Sequence, residues 1–214
     1  LAGLAAAMRR ANAGVIEVNS DFGDGDFEHL RAAAEIAGRP LSVLLLQVHN
    51  APDLWRDTRA QIHAARAQGM DVTGQVGSRP IGVLFALEGT VHPFVSHPLW
   101  LELEALPHAG RIARLQSDPE LRRRLVEERH DDERTRWLVS NLDRSFRLGT
   151  PVVFEPDPAR SLGAVAKAEG RDPCAVALDW LLEDDGRAIL YNTFENYYDG
   201  DLEVVRELLE DPAT

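Results

Sequence analysis

The segment LSVLLLQVHN, residues 41–50, decides how the fold is interpreted, because a run of Leu and Val stops on Gln47, His49 and Asn50. Other short apolar runs also end on polar residues: GVIEVNSD (14–21), MDVTGQVGSR (70–79) and RAILYNTFEN (187–196). Stretches with the apolar spacing of helices separate these runs. The pattern is typical of parallel strands that are buried on both faces and present functional side chains at their carboxyl ends. It predicts an α/β fold, namely part of a (β/α)8 TIM-type barrel.

The order of the segments predicts how the chain is organised. Residues 1–80 follow the βα period of roughly 30 residues, and residues 159–214 resume it. Residues 81–158 break the period with the turn-rich stretch GTVHPFVSHPLW and two polar amphipathic helices, around 99–115 and 119–138. We expect a helical insertion that caps the barrel mouth; a solvated helical hairpin without contact to the site is the alternative. Because the chain starts inside a predicted helix and stops just after another, we also expect the first and last barrel strands to be missing.

Composition and charge narrow the class of protein. The net charge of -12 argues against a nucleic-acid-binding surface. No apolar run approaches the ~20 residues of a membrane span, so we expect no membrane partner. The single cysteine excludes an internal disulfide framework, and no secretory signal opens the chain. The sequence therefore predicts a cytoplasmic protein.

The strand ends hold the candidate site residues. His49 lies where a barrel strand presents a metal ligand, and an imidazole there could bind Zn²⁺ if other ligands converge on it. A hydrogen-bonded structural histidine is the alternative. Gln47 shares the side of His49 by strand alternation, and with Asn50 it is a candidate for substrate binding. Arg79 follows another strand and could clamp a substrate carboxylate; a salt bridge to an acidic group is the alternative.

Other polar residues have simpler interpretations. His92 and His97 are expected to anchor turns through backbone hydrogen bonds, with lining of the site mouth as the alternative. Cys174 lies among apolar residues and is expected to be a small core residue. Glu17 would be buried if it pointed inward. The acidic loop DFGDGD (21–26) lacks the length and closing Glu of a calcium loop, so we expect no calcium site.

Several segments carry a family resemblance. The stretches GLAAAMRRANAGVIEVNSDFGD (3–24), RPIGVLFALEGTVHPFVSHP (79–98) and RDPCAVALDWLLEDDGRAILYNTFENY (171–197) are the clearest. They resemble the N-acyl-D-amino-acid deacylase (D-aminoacylase-like) group of the amidohydrolase superfamily, and the resemblance covers essentially the whole chain.

The resemblance implies a zinc-dependent hydrolase that acts on the amide bond of small N-acyl-D-amino acids. Such enzymes use one or two zinc ions in a (β/α)8 barrel, bound by a His-X-His pair of the first strand and by later ligands, with an Asp after the last strand as general base. In this chain only His49 matches, as the fifth-strand histidine, and Asn50 stands where better-known members have Lys. No His-X-His pair occurs, and the expected general-base Asp would lie beyond Thr214. The isolated chain is therefore expected to have little or no activity.

Alternatives to this hydrolase remain open. The chain could be a non-catalytic or degenerate barrel piece that binds a small acid or another protein. It could also belong to a hydantoinase-like enzyme that acts on cyclic amides. An oligomer is compatible with either function.

Overall fold

The protein is of the α/β class and forms two units. A computed structural model describes residues 1–19, 23, 25–128 and 133–214. One unit consists of Leu1–Pro80 together with Glu195–Thr214, and the other is the continuous segment Ile81–Phe194 between them. The first unit is therefore built from two separate stretches of chain.

The elements follow the expected alternation over the first part of the chain. The strands are β1 Ile16–Val18, β2 Leu41–Leu44, β3 Val72–Gln75, β4 Ile81–Phe85, β5 Ser145–Arg147 and β6 Leu190–Glu195. The helices are α1 Ala2–Ala11, α2 Asp26–Ala37, α3 Leu54–Ala67, α4 Pro98–Leu103, α5 His108–Ser117, α6 Pro119–Glu127, α7 Glu133–Ser140, α8 Leu162–Glu169, α9 Pro173–Leu181, the short α10 Glu183–Gly186 and α11 Glu203–Leu209. Short 3-10 turns occur at Leu142–Arg144 and Pro158–Arg160.

The first unit is organised around a parallel sheet in the order β1-β2-β3. Ile16 of β1 is opposite Leu41 of β2, and Val43 of β2 is opposite Gly74 of β3. The side chains of Ile16, Leu41 and Val43 pack with Trp55 and other buried residues of the helices. The prediction that the first three apolar runs form parallel strands separated by helices is confirmed.

The edge of β3 that faces away from β2 also has a partner. The backbone N–H of Gly74 donates to the carbonyl of Ala213 over 2.8 Å. Ala213 follows α11 and is buried. The chain after α11 therefore lies beside β3, on the side of the parallel sheet that faces away from β2.

The second unit contains a different sheet, in the order β4-β6-β5. Strand β6 pairs antiparallel with β5, with Ser145 opposite Asn192 and Arg147 opposite Leu190. The run at 188–192 does form a strand, but it pairs within this second sheet, so its parallel orientation to the three earlier runs stays a prediction. An apolar run buried on both faces has the same composition in parallel and antiparallel pairs, so its letters did not identify its neighbour.

The stretch 81–158 is richer in structure than a purely helical insertion. It contains helices α4 to α7 and also strands β4 and β5. The helix predicted around 99–115 is divided into α4 and α5, because Pro107 lacks the N–H that a continuous helix needs. The core of the second unit includes Phe85, Trp100, Leu115, Leu142 and Trp180.

Candidate functional site

The carboxyl ends of β1, β2 and β3 lie together at one end of the parallel sheet, as parallel pairing requires, and we call this end its carboxyl edge. The residues that follow β2 include Gln47, His49 and Asn50, and Arg79 follows β3. In open parallel sheets this edge is where ligands bind. We therefore treat it as the candidate site.

Gln47 is buried, with 3% of its surface exposed. Its side-chain amide donates from Nε2 to Oδ2 of Asp199 over 2.9 Å. Its Oε1 accepts from the backbone N–H of Tyr198 over 3.1 Å. A substrate that used this amide would have to replace one of these internal hydrogen bonds.

Asn196 connects the ends of two neighbouring strands. Its Oδ1 accepts from the backbone N–H of Gln47 over 3.0 Å, and its Nδ2 donates to the carbonyl of Gly77 over 2.9 Å. Its own N–H donates to the carbonyl of Gln47 over 2.8 Å. Asn196 adopts a left-handed backbone conformation with φ 60°, which Asn tolerates better than most residues.

His49 is half-buried at the same edge. Its ring lies 5.8 Å from the ring of Tyr198, measured between centroids, and the two planes are inclined by 67°. This is an edge-on aromatic contact of the kind that stabilises a ring in one orientation. The structure therefore places the predicted metal ligand beside a tyrosine.

The other predicted substrate-binding residues are solvent-exposed. Asn50 lies in the turn directly after His49. Arg79 is exposed just after β3, and its Nη1 donates to the carbonyl of Pro80 over 3.3 Å. Both belong to the first unit and stay candidates for contact with a substrate.

The segment 196–199 was missed as part of the site by sequence reasoning. It supplies Asn196, Tyr198 and Asp199, which contact Gln47 and His49. The available signal was the one that identified His49, since a polar NYYD stretch directly follows the apolar run that forms β6. The same rule applied to this run would have found these residues.

His92 and His97 anchor turns, as predicted. The Nδ1 of His92 accepts from the backbone N–H of Phe94 over 3.3 Å, and the Nδ1 of His97 accepts from that of Leu99 over 3.1 Å. Nε2 of His97 lies 2.6 Å from the carbonyl of Glu128. Because Nδ1 of His97 accepts, its Nε2 carries the proton and donates to that carbonyl.

Cys174, Glu17 and the acidic loop are the other residues considered in the sequence. Cys174 is buried at 5% exposure near the start of α9, which confirms it as a core residue. Glu17 is exposed on β1 and does not point into a core. In the acidic loop, Asp26 accepts from the N–H of Gly23 over 2.8 Å, while Asp21 and Asp24 lie outside the described residues.

The described residues contain neither a metal-binding group nor a membrane-spanning helix. Within residues 1–19, 23, 25–128 and 133–214, no three His, Cys, Asp or Glu side chains come together as a metal-binding group. None of the helices in this described part of the chain is both long and apolar enough to cross a bilayer.

Comparison with known proteins gave no relative: no family model, curated protein or solved structure matches the chain.

Proposed function

We propose that this chain is part of a metal-dependent amidohydrolase that cleaves the amide bond of N-acyl-D-amino acids. The observation that carries the proposal is the position of His49, a half-buried imidazole just beyond the carboxyl end of the central strand of a parallel sheet. Barrel hydrolases bring their ligands and catalytic groups to this edge. The sequence resemblance to D-aminoacylase-like enzymes names the reaction.

The proposed scaffold is a (β/α)8 barrel to which β1, β2 and β3 contribute adjacent strands. The parallel pairing of β1 with β2 and of β2 with β3 supports it, because neighbouring barrel strands pair in parallel. The alternation of strand and helix along residues 1–80 supports it as well.

The described residues do not make a zinc site on their own. Catalytic zinc is held by about three protein ligands, and His49 is the single ligand that the resemblance assigns here. Further ligands are therefore part of the proposal, and we derive no catalytic step through the metal. In the proposal Arg79 pairs with the substrate carboxylate and Asn50 contacts the substrate. Gln47 links the chain after β2 to segment 196–199 through its hydrogen bonds.

The test is hydrolysis of N-acetyl-D-amino acids, with zinc content measured in parallel, by the natural full-length protein and by its His49→Ala variant. His63→Ala is the matched control, because His63 lies on α3 and pairs with Asp211 instead. We expect His49→Ala to lose zinc and turnover while the control keeps both. Normal zinc content and normal turnover in His49→Ala would reject the proposal.

A non-catalytic barrel that binds small acids is the second candidate. It is favoured by the lack of a three-residue metal-binding group in the part of the chain that the structure describes. Binding of an N-acetyl-D-amino acid without its hydrolysis, measured by calorimetry and product analysis, would support this candidate. Turnover of a hydantoin in place of the N-acyl amino acid would instead point to a cyclic amidohydrolase.

A further inference from the structure

All the main hydrogen-bonding groups of Gln47 are used by one short segment. Its backbone N–H and carbonyl bond to Asn196, and its side-chain amide bonds to Asp199 and to the N–H of Tyr198. These partners lie about 150 residues away in sequence, with separations of 149 to 152. We call segment 196–199 together with Gln47 the clamp.

Within the clamp, segment 196–199 is attached to the ends of two neighbouring strands of the sheet. Asn196 bonds to Gln47 after β2 and to the carbonyl of Gly77 after β3. Asn196 is 1% exposed, so water does not compete for these hydrogen bonds. The position of segment 196–199 is therefore tied to the strand ends that carry the candidate site.

Tyr198 is the residue through which the clamp reaches His49. Its backbone N–H donates to Oε1 of Gln47, and this hydrogen bond fixes the backbone position from which the Tyr198 side chain extends. Its ring then meets the imidazole of His49 edge-on at 5.8 Å. With the Tyr198 ring on one side, the imidazole has fewer orientations available.

We propose that Tyr198 is a positioning residue that sets the orientation of the His49 imidazole, and that the bond between Gln47 and Asp199 holds Tyr198 in place. The catalytic importance of this orientation rests on the proposed function, whereas the orientation itself does not. Tyr198 acts through His49 and has no contact with reacting atoms assigned to it.

The first part of the test compares Tyr198→Ala with Tyr198→Phe. The alanine variant removes the ring, and the phenylalanine variant keeps the ring without its hydroxyl. The readouts are the NMR signals of the His49 imidazole, their nuclear Overhauser contacts to residue 198, and the rate of His49 carbethoxylation by diethyl pyrocarbonate. We expect Tyr198→Ala to raise that rate about two- to tenfold, as loss of an aromatic contact implies, and Tyr198→Phe to stay close to the parent.

The second part exchanges the partners of the clamp. Gln47→Glu sets a carboxylate against Asp199, whereas Gln47→Glu combined with Asp199→Asn restores a hydrogen bond with its donor and acceptor reversed. We expect the single Gln47→Glu variant to lose the contact between His49 and Tyr198 and the double variant to regain it. His63 is the internal reference, and its signals and carbethoxylation rate should stay the same in every variant.

The outcomes separate this inference from the proposed function. An unchanged His49 signal and rate in both Tyr198→Ala and Gln47→Glu would overturn the positioning role, whatever the activity of the protein. If Gln47→Glu does not fold, the Tyr198 pair alone decides. Loss of the imidazole orientation in a protein whose His49→Ala variant stays active would keep the positioning role and reject the proposed function.

Discussion

Gly82 lies against Asn192 so closely that a Cβ added to Gly82 would be 1.9 Å from the carbonyl oxygen of Asn192. Gly82 belongs to β4 and Asn192 to β6, which are neighbours in the sheet of the second unit. The contact is with backbone, which cannot rotate away as a flexible side chain could. We expect Gly82→Ala to lower the free energy of unfolding by at least ~1–3 kcal/mol, as overpacking does.

A glycine of the same unit provides the control for Gly82→Ala. A Cβ on Gly110 in α5 would meet its nearest atom at 3.6 Å, an ordinary contact. Gly110→Ala should therefore stabilise the helix by about 0.5–1 kcal/mol. Urea unfolding of both variants measures the difference, and equal stability of the two would contradict the close approach of β4 and β6.

The first unit could be predicted from local patterns, whereas the second sheet could not. Residues 1–80 alternate between short apolar runs and stretches with helical spacing, and β1 to β3 with α1 to α3 form accordingly. Strand β6 has an equally apolar sequence, but its partner β5 is a three-residue strand far away in sequence. Pairing at such distances depends on tertiary packing that no short window of sequence contains.

Asn196 provides a prediction for the clamp. Replacing it with Ala leaves the N–H of Gln47 and the carbonyl of Gly77 without their side-chain partner. Each unsatisfied buried group costs about 1–3 kcal/mol, so Asn196→Ala should be strongly destabilising in thermal unfolding. Asn196→Gly should be less so, because glycine adopts the left-handed conformation at φ 60° without a steric cost. The reverse order of the two variants would show that this backbone conformation is not adopted.

The candidate site was predictable only in part, because its contacts, like the pairing of β5 with β6, join residues that are far apart in sequence. His49 was found because an apolar run ends on polar residues around it, although β2 itself ends earlier, at Leu44. Its contact with Tyr198 could not be found in this way, since it depends on hydrogen bonds between Gln47 and a segment about 150 residues later, at a separation of 149 for Asn196.

The turn around His97 can be tested by changing the cap of α4. The imidazole of His97 accepts from the N–H of Leu99 and also bonds to the carbonyl of Glu128. His97→Ala removes both interactions and should cost at least ~1 kcal/mol, the typical effect of a lost cap. His97→Asn keeps an acceptor for the N–H of Leu99 and should recover part of the loss in urea unfolding. Equal losses in the two variants would show that capping contributes nothing.

The carboxylate of Asp211 predicts how stability depends on pH. Burial raises the pKa of Asp211, but hydrogen bonds from His63 and from the N–H of Ala213 outweigh it, so that the pKa lies below its ordinary value of 3.8. A group whose pKa is lowered by folding stabilises the protein above its unfolded pKa and loses that effect as the pH falls through the folded pKa. The contribution of Asp211 should therefore be complete above about pH 4 and disappear at lower pH.

The measurement is the free energy of unfolding between about pH 2 and 7, the range in which carboxylates with lowered pKa values lose their effect. Asp211→Asn should be less stable than the parent near neutral pH, and its stability should fall less steeply in acid, because the amide does not titrate. Glu120→Gln is the control: a hydrogen bond from Arg123 lowers the pKa of Glu120, but its side chain is exposed and solvent screens the pair. If Asp211→Asn and Glu120→Gln have the same acid profile, the link between α3 and the chain after α11 does not stabilise the first unit.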